Sequence, residues 1–141
     1  MYLLDTNVVS EMRRRARMAP AVAAWASQVR PIDLYLSVIT VMELETGARL
    51  VGRRDPEQGR CLVAWIERQI LRTFDGRILP IDLAVARRCA ALHVPNPRPI
   101  NDALMAATAL DHRLSVVTRN VRDFDGTGVT VLNPWDWQTA P

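Results

Sequence analysis

Four acidic positions stand where predicted strands end or predicted helices begin, and carboxylates in such places can do chemistry. Asp5 directly follows the apolar run 2–4, which predicts a short buried strand. In open α/β sheets, ligands bind in the crevice beyond the carboxyl ends of the strands. The other acids are Glu43, early in a predicted helix, Asp102, at the start of another, and Asp123, in the segment after a strand that ends at Thr118.

These acids would form one site if their strands are parallel neighbours. Several carboxylates in one cleft repel each other, which raises some of their pKa values unless a cation joins them. An oxygen-rich site with few His or Cys side chains favours Mg²⁺ or Mn²⁺. Such an ion can lower the pKa of a bound water molecule and stabilise a phosphate during in-line displacement. Asp5, Glu43, Asp102 and Asp123 are therefore the candidate catalytic and metal-binding acids.

Each acid also has a plain structural interpretation. Asp5 and Asp102 are both suited to capping a helix. Glu43 alone is typical of a solvated helix residue, although Glu45, two positions later, cannot point in the same direction. Asp123 alone is typical of a loop. Only their combination indicates a site.

The elements that would position these acids alternate between strands and helices. The pattern predicts strands at 2–4, 34–37, 78–81, 115–118 and 129–132, and helices at 7–14, 20–30, 38–50, 56–74, 83–92 and 103–110. Gly52 is predicted to end the third helix, with Arg53 and Arg54 in an exposed turn. Short connections between strands and helices indicate a central parallel sheet flanked by helices. The whole chain, 1–141, is expected to form a single domain.

Composition limits the chemistry further. The net charge is +3, and all 18 basic residues are Arg, with no Lys. Arg suits phosphate recognition because its planar fork donates paired hydrogen bonds, but a GC-rich genome would produce the same bias. The run Arg13, Arg14, Arg15 and Arg17 is either a phosphate-facing patch or a solvated face. The absence of Lys argues against phosphorylation receivers and aspartyl phosphatases, which need a Lys beside the phosphoryl group.

Other residues indicate a protein of the cytoplasm. Cys61 and Cys89 lie in apolar helical patterns and are predicted to be buried free thiols in a reducing compartment. Asp5 and Glu11 interrupt the N-terminus before a signal peptide could form. No apolar run reaches membrane-spanning length. His93 and His112 lack the spacing of metal ligands, and packing or surface roles are expected for both.

Six sequence pieces resemble the PIN-domain nucleases, in particular the VapC-type toxins and their FitB-like relatives. The pieces are LLDTNVVSE from Leu3, YLSVITVMELETG from Tyr35, GRILPID from Gly76, NDALMAATA from Asn101, VVTRNVRDF from Val116, and the closing NPW. They follow the family order over nearly the whole chain. The resemblance implies a PIN-type three-layer α/β sandwich and a Mg²⁺- or Mn²⁺-dependent ribonuclease.

The resemblance also implies roles for particular residues. Asp5, Glu43 and Asp102 would be the core metal-binding acids. Some family members carry Asp where this chain has Asn120, so Asn120 and Asp123 share the fourth position as candidate metal ligands. Supporting residues that would orient acids or water molecules by hydrogen bonding are Thr6, Asn7, Thr40 and Thr118.

The resemblance implies an RNA substrate and a protein partner, an antitoxin of the VapB or FitA type. The chain would form a homodimer, and the antitoxin would link it to promoter DNA. No membrane partner is expected. Arg side chains would hold flanking phosphates. The helix surface near Trp25 and Trp65 is a candidate contact for the antitoxin or a second copy, with core packing the alternative for each Trp. A rival function is a PIN-like module without catalysis that only partners a DNA-binding antitoxin, and Asn120 keeps this alternative open.

Overall fold

A five-stranded parallel sheet forms the centre of the protein in the computed structural model, which describes residues 1–139. The strands are Tyr2–Leu4 (β1), Leu34–Ser37 (β2), Ile78–Leu79 (β3), Ser115–Val117 (β4) and Val131–Leu132 (β5). Their spatial order is β3-β2-β1-β4-β5. The chain winds outward from β1 to β3 on one side and from β4 to β5 on the other. The carboxyl ends of β1 and β4 therefore flank the switch point where ligands bind in such sheets.

Helices cover both faces of this sheet, so the predicted α/β sandwich is confirmed. The helices are Thr6–Arg13 (α1), Pro20–Gln28 (α2), Val38–Arg54 (α3), Pro56–Trp65 (α4), Leu71–Thr73 (α5), Leu83–Leu92 (α6) and Ile100–His112 (α7). Short 3₁₀ turns occupy 15–17, 31–33, 121–124 and 134–136. Within residues 1–139, no helix is both long enough and apolar enough to cross a membrane.

Alternating side chains of β1 join two apolar clusters. Leu3 packs on one face with Met105 of α7, and Leu4 packs on the other with Val8 of α1 and Trp25 of α2. Leu3 and Leu4 are both fully buried, as expected for a central strand with helices on both faces. The sheet edge beyond Leu4 is therefore rigidly placed.

The predicted end of α3 at Gly52 is wrong. The helix continues through Gly52 and includes Arg53 and Arg54. Gly52 instead permits close packing, because a Cβ added to Gly59 of α4 would lie 2.4 Å from the Gly52 Cα. The two glycines let α3 and α4 touch, and the chain turns only at Asp55, which caps α4 by accepting a hydrogen bond from the Gln58 N–H.

Three other expectations need correction. The predicted helix 56–74 is interrupted by a π-helical turn at 66–70, and the last strand is only Val131–Leu132. Cys61 is exposed rather than buried, because it lies on the outer side of α4, whereas Cys89 is buried as predicted. For Trp25 the core-packing alternative is confirmed, because the residue is fully buried, whereas Trp65 is half-buried.

Candidate active site

Asp5 is the buried centre of the site at the carboxyl end of β1. Its backbone N–H donates to the Val117 carbonyl (2.9 Å), which ties the ends of β1 and β4 together. Its side chain is only 8% exposed and caps α1 by accepting the Thr6 N–H at 2.8 Å. Burial raises the pKa of the Asp5 carboxyl, hydrogen bonds from Thr118 and Thr6 oppose the rise, and the charges of Glu43 and Asp123 add to it.

A fully buried hydroxyl fixes the second carboxylate oxygen of Asp5. Thr118 Oγ1 donates to Asp5 Oδ2 at 2.7 Å and accepts from Asn7 Nδ2 (3.2 Å) and from the Asn120 N–H (3.0 Å). These contacts use the single donor and both acceptor lone pairs of the hydroxyl. Asn7 Nδ2 also lies 3.2 Å from Asp5 Oδ2. The chain segments after β1 and β4 are thus held together by side-chain hydrogen bonds.

Glu43 joins the site from the β2 side of β1. It lies in the second turn of α3, half-buried, and its Oε1 accepts a hydrogen bond from Thr6 Oγ1 at 2.7 Å. Glu45 points elsewhere and lies 3.8 Å from Arg49 on the surface, as the two-residue spacing predicts. Thr40 does not contact an acid: its hydroxyl donates to the Leu4 carbonyl at 3.3 Å and so supports the backbone next to Asp5.

Asp102 lies in the first turn of α7, where it is half-buried. Within residues 1–139, no protein group donates a hydrogen bond to the Asp102 carboxylate. Burial and the charges of Asp123, Asp5 and Glu43 raise the pKa of Asp102 to about 6. Asp102 therefore lies close enough to the other three predicted acids for their charges to act on it.

Asp123 and Asn120 occupy the outer side of the site. Both are exposed and belong to the segment that continues from β4 into the 3₁₀ turn 121–124. Phe124, which is buried beside Met105 and Ala106 of α7, anchors this turn. That anchor places Asp123 where its charge acts on both Asp5 and Asp102. The Asn120 side chain faces solvent, and its backbone N–H binds Thr118.

The site is therefore an acidic edge without soft ligands. The Cys89 Sγ of α6 and the Nε2 of His93, which directly follows that helix, are 3.6 Å apart. His112 ends α7, at the opposite end of that helix from Asp102. Among residues 1–139, no three His, Cys, Asp or Glu side chains form a ready-made cage for a metal ion. The charges of Asp5, Glu43 and Asp123 act on Asp102, although the four carboxylates do not close on one point.

Basic residues lie near these acids; sequence reasoning singled out Arg13 as part of a possible phosphate-facing patch but missed Arg119 and Arg122. Arg119 follows Thr118 directly, and its guanidinium lies 5.1 Å from the centre of the Trp135 ring. Arg13, at the end of α1, lies 5.5 Å from the centre of the Trp65 ring. The motif VVTRNVRDF contains Arg119 and Arg122, but only the fold reveals that both lie beside the acids.

Comparisons with known proteins agree with this geometry. Residues 2–128 match the PIN-domain family. The chain is 40% identical to toxin FitB of Neisseria gonorrhoeae over 96% of this chain and 99% of that protein. It is 37% identical to VapC ribonuclease Y4jK of Sinorhizobium fredii, with the same coverage of both chains. A solved structure of FitAB bound to an IR36 DNA fragment superposes with a TM-score of 0.86 at 36% identity, covering 99% of each chain.

Proposed function

Because the chain belongs to the PIN-domain family, we propose that it is a metal-dependent endoribonuclease and the toxin of a type II toxin–antitoxin pair. The observation that supports this proposal is that Thr6 hydrogen-bonds both Asp5 and Glu43 at the end of β1, while the charges of Asp5, Glu43 and Asp123 act on Asp102. Two similar proteins point to the same activity class, since one is named a toxin and another a VapC ribonuclease.

The residues fit a hard divalent cation. All of the converging side chains offer oxygen ligands, which Mg²⁺ and Mn²⁺ prefer. Burial and the charges of the neighbouring acids raise the pKa of Asp102, and a bound cation would offset that repulsion. Mg²⁺ commonly keeps several water molecules and takes one or two protein carboxylates, so a cleft that is not a closed cage suits it. Asp5, Glu43 and Asp102 would hold the ion, with Asp123 and Asn120 on its outer side.

The chain's own groups prepare this site. Thr118 and the Thr6 N–H each hold one oxygen of Asp5, so the carboxylate keeps one orientation. Thr6 does the same for Glu43 through its hydroxyl. When bound, a divalent ion would supply Lewis-acid chemistry, lowering the pKa of water and stabilising charge on a phosphodiester. The surrounding Arg side chains would hold RNA phosphates without selecting a sequence.

We propose an antitoxin as the protein partner, with DNA bound through it. The support is the FitAB structure with a DNA fragment, in which a protein of this fold is part of a DNA-bound complex. The homodimer that the family resemblance implies stays a prediction.

An RNA-cleavage assay tests the proposed function. The purified chain, free of antitoxin, is incubated with a panel of structured RNAs and Mg²⁺, Mn²⁺ or a chelator. We expect cleavage with either metal and none with the chelator. The variants Asp5→Asn, Glu43→Gln and Asp102→Asn should lose activity by about a hundredfold or more, because each removes charge from the cation site.

Glu45→Gln is the matched control, because Glu45 lies on the same helix two residues from Glu43 but points to the surface. It should cleave like the parent chain. If the parent cleaves no RNA in the panel with either metal, the chain is a partner module without catalysis. If the acid variants cleave as well as Glu45→Gln does, the converging carboxylates are not the active site.

A further inference from the structure

An open cleft of about 630 Å³ begins at the outer side of the acids. Its lining residues come from the segment after β4 and from the end of β5: Arg119, Asn120, Val121, Arg122, Asp123 and Asn133. The cleft shares Asn120 and Asp123 with the candidate active site. A molecule bound there would therefore contact the exposed side of the candidate active site.

Arg119 is held in position at this cleft. Its backbone N–H donates to Asn7 Oδ1 at 3.2 Å, and its guanidinium lies over the Trp135 ring. Trp135 in turn packs against the apolar cluster around Leu4. A cation–π contact of this kind restrains the side chain while leaving its N–H groups free to donate. Restraint before binding reduces the conformational entropy that a ligand contact would cost.

The two arginines of the cleft are also available for a ligand. Within residues 1–139, neither Arg119 nor Arg122 forms a salt bridge with a carboxylate. Other arginines are already engaged: Arg14 pairs with Glu11 at 3.2 Å, and Arg88 with Asp111 at 3.0 Å. The exposed guanidinium groups of Arg119 and Arg122 can therefore accept an anionic ligand without first breaking a salt bridge.

A second basic surface, which shares no residue with the Arg119 cleft, lies at the carboxyl end of α1. It contains Arg13 and Arg17 with Trp65. Its link to the acids is through Arg13, which also borders a cleft with Thr6 and Glu43 on the β2 side of β1. The Arg119 cleft lies on the β4 side. The two surfaces can therefore be tested separately.

We propose that Arg119 and Arg122 form a phosphate-binding subsite for RNA next to the cleavage position. This inference rests on the proposed function, and it names the residues that hold the substrate. The planar guanidinium can donate two parallel hydrogen bonds to one phosphate, which fits a polyanion better than a neutral ligand. Asp123, whose charge acts on Asp5 and Asp102, marks the boundary between the subsite and the acids.

Binding without catalysis gives the first test. Anisotropy of a labelled single-stranded RNA is measured with the full chain in EDTA, over a range of KCl concentrations. The double variant Arg119→Gln with Arg122→Gln should bind at least about tenfold more weakly. Its salt slope should fall by about 1.4, because each lost phosphate contact removes about 0.7 on a single strand.

Two matched double variants complete the test. Arg53→Gln with Arg54→Gln changes two exposed arginines at the far end of α3 and should leave the slope unchanged. Arg13→Gln with Arg17→Gln removes the second basic surface. The proposal is overturned if the Arg119 and Arg122 variant keeps the parent slope, or if only the Arg13 and Arg17 variant loses it. It is also overturned if an acidic peptide binds the cleft and RNA does not.

Cleavage kinetics separate this inference from the proposed function. If the parent cleaves RNA, the Arg119 and Arg122 variant should show a KM raised about tenfold with kcat nearly unchanged, because a phosphate held equally before and during the reaction affects binding alone. Arg119→Lys with Arg122→Lys should recover part of the loss. An unchanged KM would overturn the subsite while leaving the nuclease intact. If the parent binds RNA through these arginines but never cleaves it, the proposed nuclease activity is overturned and the subsite is supported.

Discussion

The two sides of the candidate active site are held by different kinds of structure. Asp5 and Thr118 are nearly or fully buried at the ends of central strands, and hydrogen bonds fix both oxygens of Asp5. Asn120 and Asp123 are exposed in a segment that backbone hydrogen bonds from Asn120 and Arg119 and the buried Phe124 hold in place. The ends of the central strands position the buried side, whereas the segment that follows β4 positions the exposed side.

This difference separates stability from function. A buried carboxylate must keep its hydrogen-bond donors, since an unpaired one costs free energy. An exposed carboxylate is solvated and can change without affecting the fold. Substitutions on the buried side should therefore lower both stability and activity, and substitutions on the exposed side should change activity alone.

Among substitutions that leave the four acids in place, the largest effect is expected for Thr118→Val. This change keeps the shape of the side chain but removes the donor to Asp5 and the acceptor for Asn7 and Asn120. Cleavage should fall about 10- to 100-fold, as for other residues that orient metal ligands. The melting temperature should fall by several degrees, because buried groups lose their partners. Thr118→Ser keeps the hydroxyl and should show nearly the activity and melting temperature of the parent. If Thr118→Val also keeps the activity and melting temperature of the parent, the hydrogen bonds of Thr118 do not support the site.

Proton competition should weaken metal binding at low pH. The pKa of Asp102 is raised to about 6, so the folded state binds this proton more tightly than the unfolded state does. In the metal-free protein, the contribution of Asp102 to stability is therefore greatest below about pH 4 and is lost as the pH rises through 6. A bound cation would instead favour the deprotonated carboxylate of Asp102. We expect Mg²⁺ affinity, followed by calorimetry or by its effect on the melting temperature, to fall about tenfold from pH 7 to pH 5.

Asp102→Asn is the control for this pH dependence. It removes the titrating carboxyl, so its metal-free melting temperature should exceed that of the parent more at pH 7 than at pH 4. Equal differences at the two pH values would mean that the pKa of Asp102 is not raised.

Asp123→Asn should have a smaller effect, confined to activity. The substitution removes one charge from the exposed side, and severalfold slower cleavage is expected because a solvated charge contributes less than a buried one. The melting temperature should stay within about a degree of the parent value. Asp125→Asn, which changes an exposed acid two residues away, provides the matched control. A large loss of stability in Asp123→Asn would contradict the distinction between the two sides.

The smallest effect is expected for Asn120→Asp, and it should be a gain. An added carboxylate beside the cation site should lower the Mg²⁺ concentration for half-maximal cleavage by about two- to threefold. Because Asn120 is exposed, the melting temperature in chelator should hardly change. A higher Mg²⁺ requirement would place residue 120 outside the site.

The buried side of the site was predictable from the sequence. The apolar run before Asp5, the strand before Thr118 and the start of α7 at Asp102 follow from local patterns. Parallel strands that end in polar residues must bring those residues to one edge. Glu43 was also predictable, since its distance from the end of β2 is less than two helical turns.

Features that depend on packing between distant elements were not predictable. Gly52 was interpreted as a helix end because glycine often follows helices, but its role depends on the approach of Gly59. Cys61 lies in an apolar pattern, yet only the position of α4 shows its exposure. The position of Arg119 over Trp135 joins residues from β4 and beyond β5, and no local pattern contains that contact.

The central claim is that carboxylates distant in the chain share one hard cation. The most direct measurement is a crystal structure of the chain soaked in Mn²⁺, with the anomalous signal used to locate the ion. The account predicts a peak within coordination distance of Asp5 and of Glu43 or Asp102. A well-ordered structure with no peak at this edge, or with Mn²⁺ bound only elsewhere, would contradict it.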